Sequence, residues 1–532
     1  MLWNTVCMNT MVGWCVEFLR VILTLTRPFS DKVLDFIYHF FMGKSKVLPP
    51  IDNKILLMPA TELAQKIRKR QLSCVEVMEA YVARCKAVHP YINAAVDERY
   101  EDALRDAKVV DEFLASGQKS VEEIEKETPL LGVPFSCKEA IGVKGMAQTC
   151  GLYSAKDRVA EKDSDTAALY RKAGGIPVVV TNVPELCMWW ESSNLVFGMT
   201  KNPYDNARTV GGSSGGEGSI ITSAGALIGI GNDIAGSIRI PAAFCGIYGH
   251  KPSKDVISNQ GTFPESDDEF DQFVSTGPMC RYAQDLPLLT RVLSKNHNKI
   301  KWDEKVDFKK VRVYYMDSIP SLLLGATPDI RASVHKAVKH FEEEYGITAT
   351  RVDMDEMRHA FNMWECKLLE CGGPSFKSAL SFFGKCDNIN LHWELFKSLF
   401  RASKHTLPAI YFGLVDRRDK DDFYHECLKN YEVLKKKFED MLQGDAIFLI
   451  PTQAEAPSHY LMTIPKYPNI GYTCIFSILG YASTNIPAGF SQGVPIGIQA
   501  ISLPFQDHLT IAAALELDKV FGGWVSPCPI TV

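Results

Sequence analysis

Between Leu130 and Gly249, short apolar runs alternate with glycine-rich turns and with helical spacing. Leu131–Cys137 and Ile176–Thr181 are short apolar runs of β character and predict strands. From Ile220 to Ile230 a small-residue helix is expected to run into another apolar stretch. Upstream, Thr61 to Val96 predicts two helices. Leu63, Ala64 and Ile67 form the apolar face of the first. Ser73 and Glu76 have the spacing of a capping box for the second, and Val77, Met78, Tyr81, Val82 and Cys85 follow at helical intervals. Pro90 is expected to close this pair. Ala446–Pro451 and the run from Val494 to Gln499 predict further strands, and His508 to Val520 a final helix. Alternating elements of this kind predict an α/β sheet. No repeat and no low-complexity linker divides the chain into clear domains.

Two segments depart from that pattern. Met11 to Leu25 is apolar apart from Glu17, Arg20 and Thr24, which is shorter than the roughly 20 residues a spanning helix needs. Glu17 and Arg20 stand at i, i+3 and are spaced to pair on a helix. After Arg27-Pro28 a second apolar stretch follows, Val33-Leu34 and Phe36–Met42, interrupted by Asp35 and His39. The charged interruptions and the lack of a small-residue cleavage site argue against a signal peptide. Residues 1–45 are expected to form a membrane-associated segment, spanning or interfacial, and residues 46–532 the catalytic domain. Core-packing helices are the alternative. If the segment spans, Arg20, Arg27, Lys32, Lys44 and Lys46 on its C-terminal side place the main domain on the cytosolic side. The second segment, residues 354–440, is helical and rich in aromatics. Trp393, Phe396 and Phe400 fall at i, i+3, i+7, with Lys397, Arg401 and Lys404 interleaved. A helix packed on the core with a solvated basic face and a membrane-facing cap both fit this spacing.

Composition narrows the function classes. The chain has 532 residues, 46% apolar and 23% charged, with a net charge of −5. A globular protein fits these values, and a nucleic-acid-binding surface is not expected. The mean hydropathy of −0.06 argues against a polytopic membrane protein. Fifteen cysteines are scattered without a CxxC pair, and there is no N-x-S/T sequon. They are expected to be mostly buried free thiols in a reducing, intracellular compartment.

The most unusual segment is Val210-Gly-Gly-Ser-Ser-Gly-Gly-Glu-Gly218, followed by Gly231-Asn-Asp-Ile-Ala-Gly-Ser-Ile-Arg-Ile-Pro241. Glycines on this scale allow the backbone to approach a ligand closely. The segment lacks GxxxxGK[ST] and the dinucleotide fingerprint, so phosphate binding is disfavoured. Gly211–Gly215 also fits G-x-S-x-G, a pattern that alone is weak. A structural glycine-rich turn is the remaining alternative.

The companion motifs carry a more specific message. GVPFSCKE ends on Lys138-Glu139, and TNVPEL, KNPYD, GNDIAGSIRIP, GHKPS, STGPMCR and GVPIGIQ follow in order. Together with GGSSGG they resemble the amidase signature family from about Leu56 to Trp524. Within it, GGEG, Glu-Leu-Cys-Met-Trp at 185–189 and Phe-Gly-Gly-Trp-Val at 521–525 are similar to the fatty-acid amide hydrolases of the second type. The resemblance implies a large twisted mixed β-sheet covered by helices on both faces. It also implies a Lys138–Ser213–Ser237 triad with Ser237 as nucleophile, Ser213 as proton relay and Lys138 as base. Backbone amides of Ile234, Ala235, Gly236 and Ser237 would form the oxyanion hole. Many members have a second glycine where Ala235 stands. The resemblance further implies a cis Gly212–Ser213 peptide and a substrate pocket touched by Cys187 and Met188. Asp233 and Arg239, beside the nucleophile, are expected to hold its loop through hydrogen bonds.

A membrane-associated serine hydrolase of fatty-acid amides follows as the expected function. The resemblance implies that no metal or organic cofactor is needed, that the partners are a lipid amide and a membrane surface, and that a homodimer is allowed. The rival readings are a soluble amidase of small amides, a glutaminase-type amidotransferase subunit, or a binding protein without catalysis. The intact serine and lysine positions disfavour the last.

Overall fold

The computed structural model describes residues 14–532 except 16–17, 43–44, 266–267, 373–374, 383–388 and 417–418. The expected Glu17–Arg20 pair and Lys44 therefore lie outside the described residues. Among the described residues thirteen strands are present, in chain order: β1 (Ala95–Glu98), β2 (Pro134–Lys138), β3 (Ile176–Thr181), β4 (Ser193–Asn194), β5 (Gly198–Met199), β6 (Ile228–Asp233) and β7 (Tyr248–Lys251). They continue as β8 (Ser275–Cys280), β9 (Arg312–Tyr315), β10 (Thr350–Arg351), β11 (Ala446–Pro451), β12 (Ala482–Ser491) and β13 (Val494–Ser502). β4 and β5 form a small hairpin. The other eleven make one sheet, ordered β1-β3-β2-β6-β8-β7-β12-β13-β11-β9-β10.

The sheet is mixed, as expected. β3, β2 and β6 run parallel side by side. β6 pairs β8 antiparallel, and β12 pairs both β7 and β13 antiparallel. Every residue of β2, β3, β8, β11 and β13 is buried, so both faces of the sheet are covered in its middle. Crossovers between parallel strands leave their carboxyl ends on one edge. On that edge β2 ends at Lys138, β3 leads through Thr181 into the Glu185–Cys187 turn, and β6 ends at Asp233 just before Ser237.

The first helix pair forms as predicted, at Ala60–Arg68 and Cys74–Ile92. Ser73 accepts from the Glu76 N–H at 3.0 Å, and the complete reciprocal box forms at Ser120 and Glu123. Pro90 does not close the pair. It sits inside the last turn, and the helix stops at Asn93, whose φ of 47° is left-handed.

The helix Arg27–Met42 lies against the body with its polar side inward. Asp35 pairs with Arg208 at 2.8 Å and with His459 at 2.8 Å, and His39 approaches Asp205 at 3.4 Å. The two residues that break the apolar run are thus the ones that dock it. Its apolar residues face outward, with Phe36 73% and Phe40 72% exposed. A globular surface helix ordinarily does the reverse. Further along, Trp393 (56%), Phe396, Leu399 and Phe400 (68%) are also exposed on or beside the helix Leu391–Ser398, so this stripe is not core. Among the described residues, no helix is long and apolar enough to cross a membrane.

Candidate active site

The chemistry-bearing residues meet at the common strand edge. Lys138 closes β2 and is fully buried. Its Nζ lies 2.6 Å from Ser213 Oγ and also donates to Asn232 Oδ1. Ser213 precedes the helix Gly215–Thr222. The Gly212–Ser213 peptide is cis, as the resemblance implied. A Cβ at Gly212 would come within 2.7 Å of the Trp189 carbonyl, so only glycine lets the loop pack this closely. The Ser214 N–H donates to the Ser237 carbonyl at 3.1 Å, which ties the two serine loops together.

Asp233 organises the second loop. Its carboxylate accepts from the Gly236 N–H at 2.6 Å, the Ile238 N–H at 3.1 Å and the Arg239 guanidinium at 2.9 and 3.0 Å. Burial works to raise this carboxyl, but the Arg239 charge and these donors hold it at about 2. Asp233 and Arg239 are therefore the structural clamp that was expected. The Gly236 N–H is taken by Asp233, which sets it apart from the other expected oxyanion donors. Two groups far away in sequence orient the same loop. The Trp364 indole N–H donates to the Ile234 carbonyl at 3.0 Å, and the Thr473 hydroxyl donates to the Ala235 carbonyl at 2.6 Å. These two bonds fix the Ile234 and Ala235 carbonyls of the loop that leads into Ser237. Gly236 has φ +125°, and a Cβ there would collide with Thr473 Oγ1.

Above the serines is an apolar cavity. Gly212, Ile234, Ala235 and Ser237 line its floor, Cys187 and Met188 one wall, and Trp189, Trp190, Phe361, Trp364, Phe412 and Tyr467 much of the rest. Among the described residues, no charged side chain lines it. Cys187 and Met188 thus line the same cavity as Ser237. Phe361, Trp364, Phe412 and Tyr467 were not foreseen as site residues. The sequence signal for Phe361, Trp364 and Phe412 was the aromatic richness of residues 354–440, and Tyr467 lies outside that stretch. Glu185 of the TNVPEL motif joins the two regions, accepting from the Thr406 N–H at 2.8 Å and lying 2.7 Å from His405 Nδ1. Lys251 of the GHKPS motif lies elsewhere in the core, donating to the Pro252 carbonyl at 2.9 Å.

A family model described as Amidase matches residues 76–511. The chain belongs to the amidase signature family. As a member it is an amide-hydrolysing enzyme. It is 39% identical to fatty-acid amide hydrolase 2 of Homo sapiens over 494 residues, covering 91% of this chain and 92% of that one. Similarity to fatty-acid amide hydrolase 2-A of Danio rerio is also 39%, over 497 residues, with the same 91% and 92% coverage. A solved structure titled fatty acid amide hydrolase superposes with a TM-score of 0.72 at 22% identity, covering 93% of this chain and 89% of that one. That likeness establishes the amidase signature fold.

Proposed function

We propose that this amidase hydrolyses fatty-acid amides at a membrane surface through Ser237, Ser213 and Lys138. The observation that carries the reading is the buried Lys138 Nζ, 2.6 Å from Ser213 Oγ, beneath a charge-free aromatic cavity that also holds Ser237.

A serine hydroxyl needs a base to become an effective nucleophile. In this reading Ser237 Oγ attacks the amide carbonyl carbon and passes its proton to Ser213 Oγ. Ser213 gives its own proton to Lys138 Nζ, the base of this reading. The carbonyl oxygen gains negative charge and takes hydrogen bonds from the Ile234, Ala235 and Ser237 amides, with Gly236 left to Asp233. One such donor is typically worth about 3–4 kcal/mol. The proton then returns along the same path to the leaving nitrogen, the C–N bond breaks, and the amine departs. Water attacks the Ser237 ester by the same base route, releasing the acid and the free hydroxyl.

The apolar lining supports a long acyl chain, since each buried CH₂ contributes about 0.8 kcal/mol. The relatives named fatty-acid amide hydrolase 2 support the same substrate class. The outward apolar faces at Phe36–Phe40 and Trp393–Phe400 support a membrane surface as the place of work.

Two measurements test the reading. A fluorophosphonate probe should label the parent and not Ser237→Ala, and labelling that persists in the folded variant rejects the nucleophile. The kcat/KM should climb with acyl length across a series of primary amides. A profile that peaks at two to four carbons replaces the lipid substrate with a small amide.

A further inference from the structure

Cys150 and Cys187 lie on different segments, yet their sulfur atoms are 3.3 Å apart. A backbone bond brings them together, the Leu186 N–H donating to the Cys150 carbonyl at 2.8 Å. Cys150, Leu186 and Cys187 all adopt left-handed backbone, with φ of 54°, 56° and 55°. Residues bearing a Cβ do so rarely, and such conformations gather at functional sites. The two thiols differ in surroundings. Cys150 is buried behind the wall, whereas Cys187 faces the cavity that holds Ser237. Burial opposes ionisation of Cys187, but its hydrogen bonds with the Cys150 thiol and the Ser213 hydroxyl act against burial, and its pKa lies below the ordinary thiol value. Burial pushes Cys150 well above that value. An accessible, more acidic thiol beside a buried partner is the arrangement of an attacking and a resolving cysteine.

We propose that Cys187 and Cys150 form a peroxide-sensitive dithiol that switches the active site off when oxidised. Cys187 sulfur attacks one peroxide oxygen, the O–O bond breaks, and Cys187 sulfenic acid and water form. Cys150 sulfur then attacks the Cys187 sulfur, the S–O bond breaks, a second water leaves, and the disulfide forms. Each peroxide thus removes two electrons from the pair. Closing 3.3 Å to the roughly 2.05 Å of a disulfide draws Cys187, which lines the cavity with Ser237, towards Cys150. The cavity wall next to the Gly212–Ser213 loop moves with it. A thiol reductant reverses the change. The loss of rate rests on the Lys138–Ser213 reading above, whereas the cross-link itself does not.

The experiment uses the full-length enzyme, reduced and then exposed to a few equivalents of hydrogen peroxide. Peptide mass spectrometry should find a linked pair containing Cys150 and Cys187, two hydrogens lighter than the separate peptides. Amide hydrolysis should fall at least about fivefold in parallel and recover on dithiothreitol. Cys150→Ala should form no link, and its peroxide-treated form should carry oxygen on Cys187 instead. Peroxide that inactivates the parent without this link overturns the proposal and makes the pair ordinary packing. A linked enzyme with full activity overturns the switch. Because the link is read by mass, it is scored even if the substrate or the triad assignment proves wrong.

Discussion

Lys138 Nζ lies 2.6 Å from Ser213 Oγ, and the same nitrogen donates to the side-chain oxygen of Asn232. Both partners are uncharged, so a proton can move on and off the nitrogen without breaking an ion pair in this contact. Lys138 closes β2 and Asn232 belongs to neighbouring β6, so the lysine is aimed by the sheet itself.

On the proposed mechanism, removing Lys138 should change the pH dependence more than the fold. Lys138→Ala is expected to lower kcat/KM at neutral pH by at least about a thousandfold, the scale of a lost general base. Hydroxide would then accept the proton from Ser213, so the residual rate should rise close to tenfold per pH unit. Parallel pH–rate profiles for the variant and the parent would reject Lys138 as the base.

Thr473→Val tests the alignment of the oxyanion loop. The substitution keeps the shape and deletes the 2.6 Å bond to the Ala235 carbonyl. The expected loss is about 1 kcal/mol of loop positioning, or five- to tenfold in kcat with KM little changed. A fall confined to KM would show that the bond shapes the cavity rather than the loop.

Glu217 gives a stability prediction with a definite sign. It is fully buried and accepts from Ser136 at 2.6 Å and Thr181 at 2.7 Å. Burial pushes its carboxyl from 4.5 up to about 8. The folded state therefore holds this proton more tightly than the unfolded chain. Its contribution to stability is complete below about pH 4.5 and is lost as pH rises through about 8, at roughly 1 kcal/mol per unit. Glu217→Gln cannot ionise, so its Tm should fall less than that of the parent between pH 6 and pH 9. Equal slopes would show that Glu217 is not the group responsible.

The outward aromatic faces can be tested without disturbing the docked side of the N-terminal helix. Phe36→Glu with Phe40→Glu, and Trp393→Glu with Phe396→Glu, alter exposed residues alone. Each pair should weaken sedimentation with phosphatidylcholine vesicles, and all four together should abolish it, because two linked weak contacts reinforce each other. Hydrolysis of short amides in solution should be kept and that of long-chain amides in vesicles should fall. Unchanged vesicle binding would assign both faces to another partner.

Local physics in the sequence determined much of this protein. Short apolar runs marked β2, β3 and β11, and helical spacing marked the pair before them and the final helix. Ordered glycine–serine motifs marked Lys138, Ser213 and Ser237, because close packing at Gly212 and Gly236 admits no side chain. Tertiary structure decided what depends on residues far apart. Asn232 under Lys138, Trp364 and Thr473 on the oxyanion loop, and Tyr467 in the cavity wall are brought in by strand order and helix packing, which no local period encodes. It also assigned the Gly236 N–H to Asp233, since a backbone donor looks the same in sequence whether free or paired. The N-terminal helix shows the division most clearly. Its apolar pattern was legible, but which side faces the body was settled by Asp35 finding Arg208 and His459, residues more than 170 positions away.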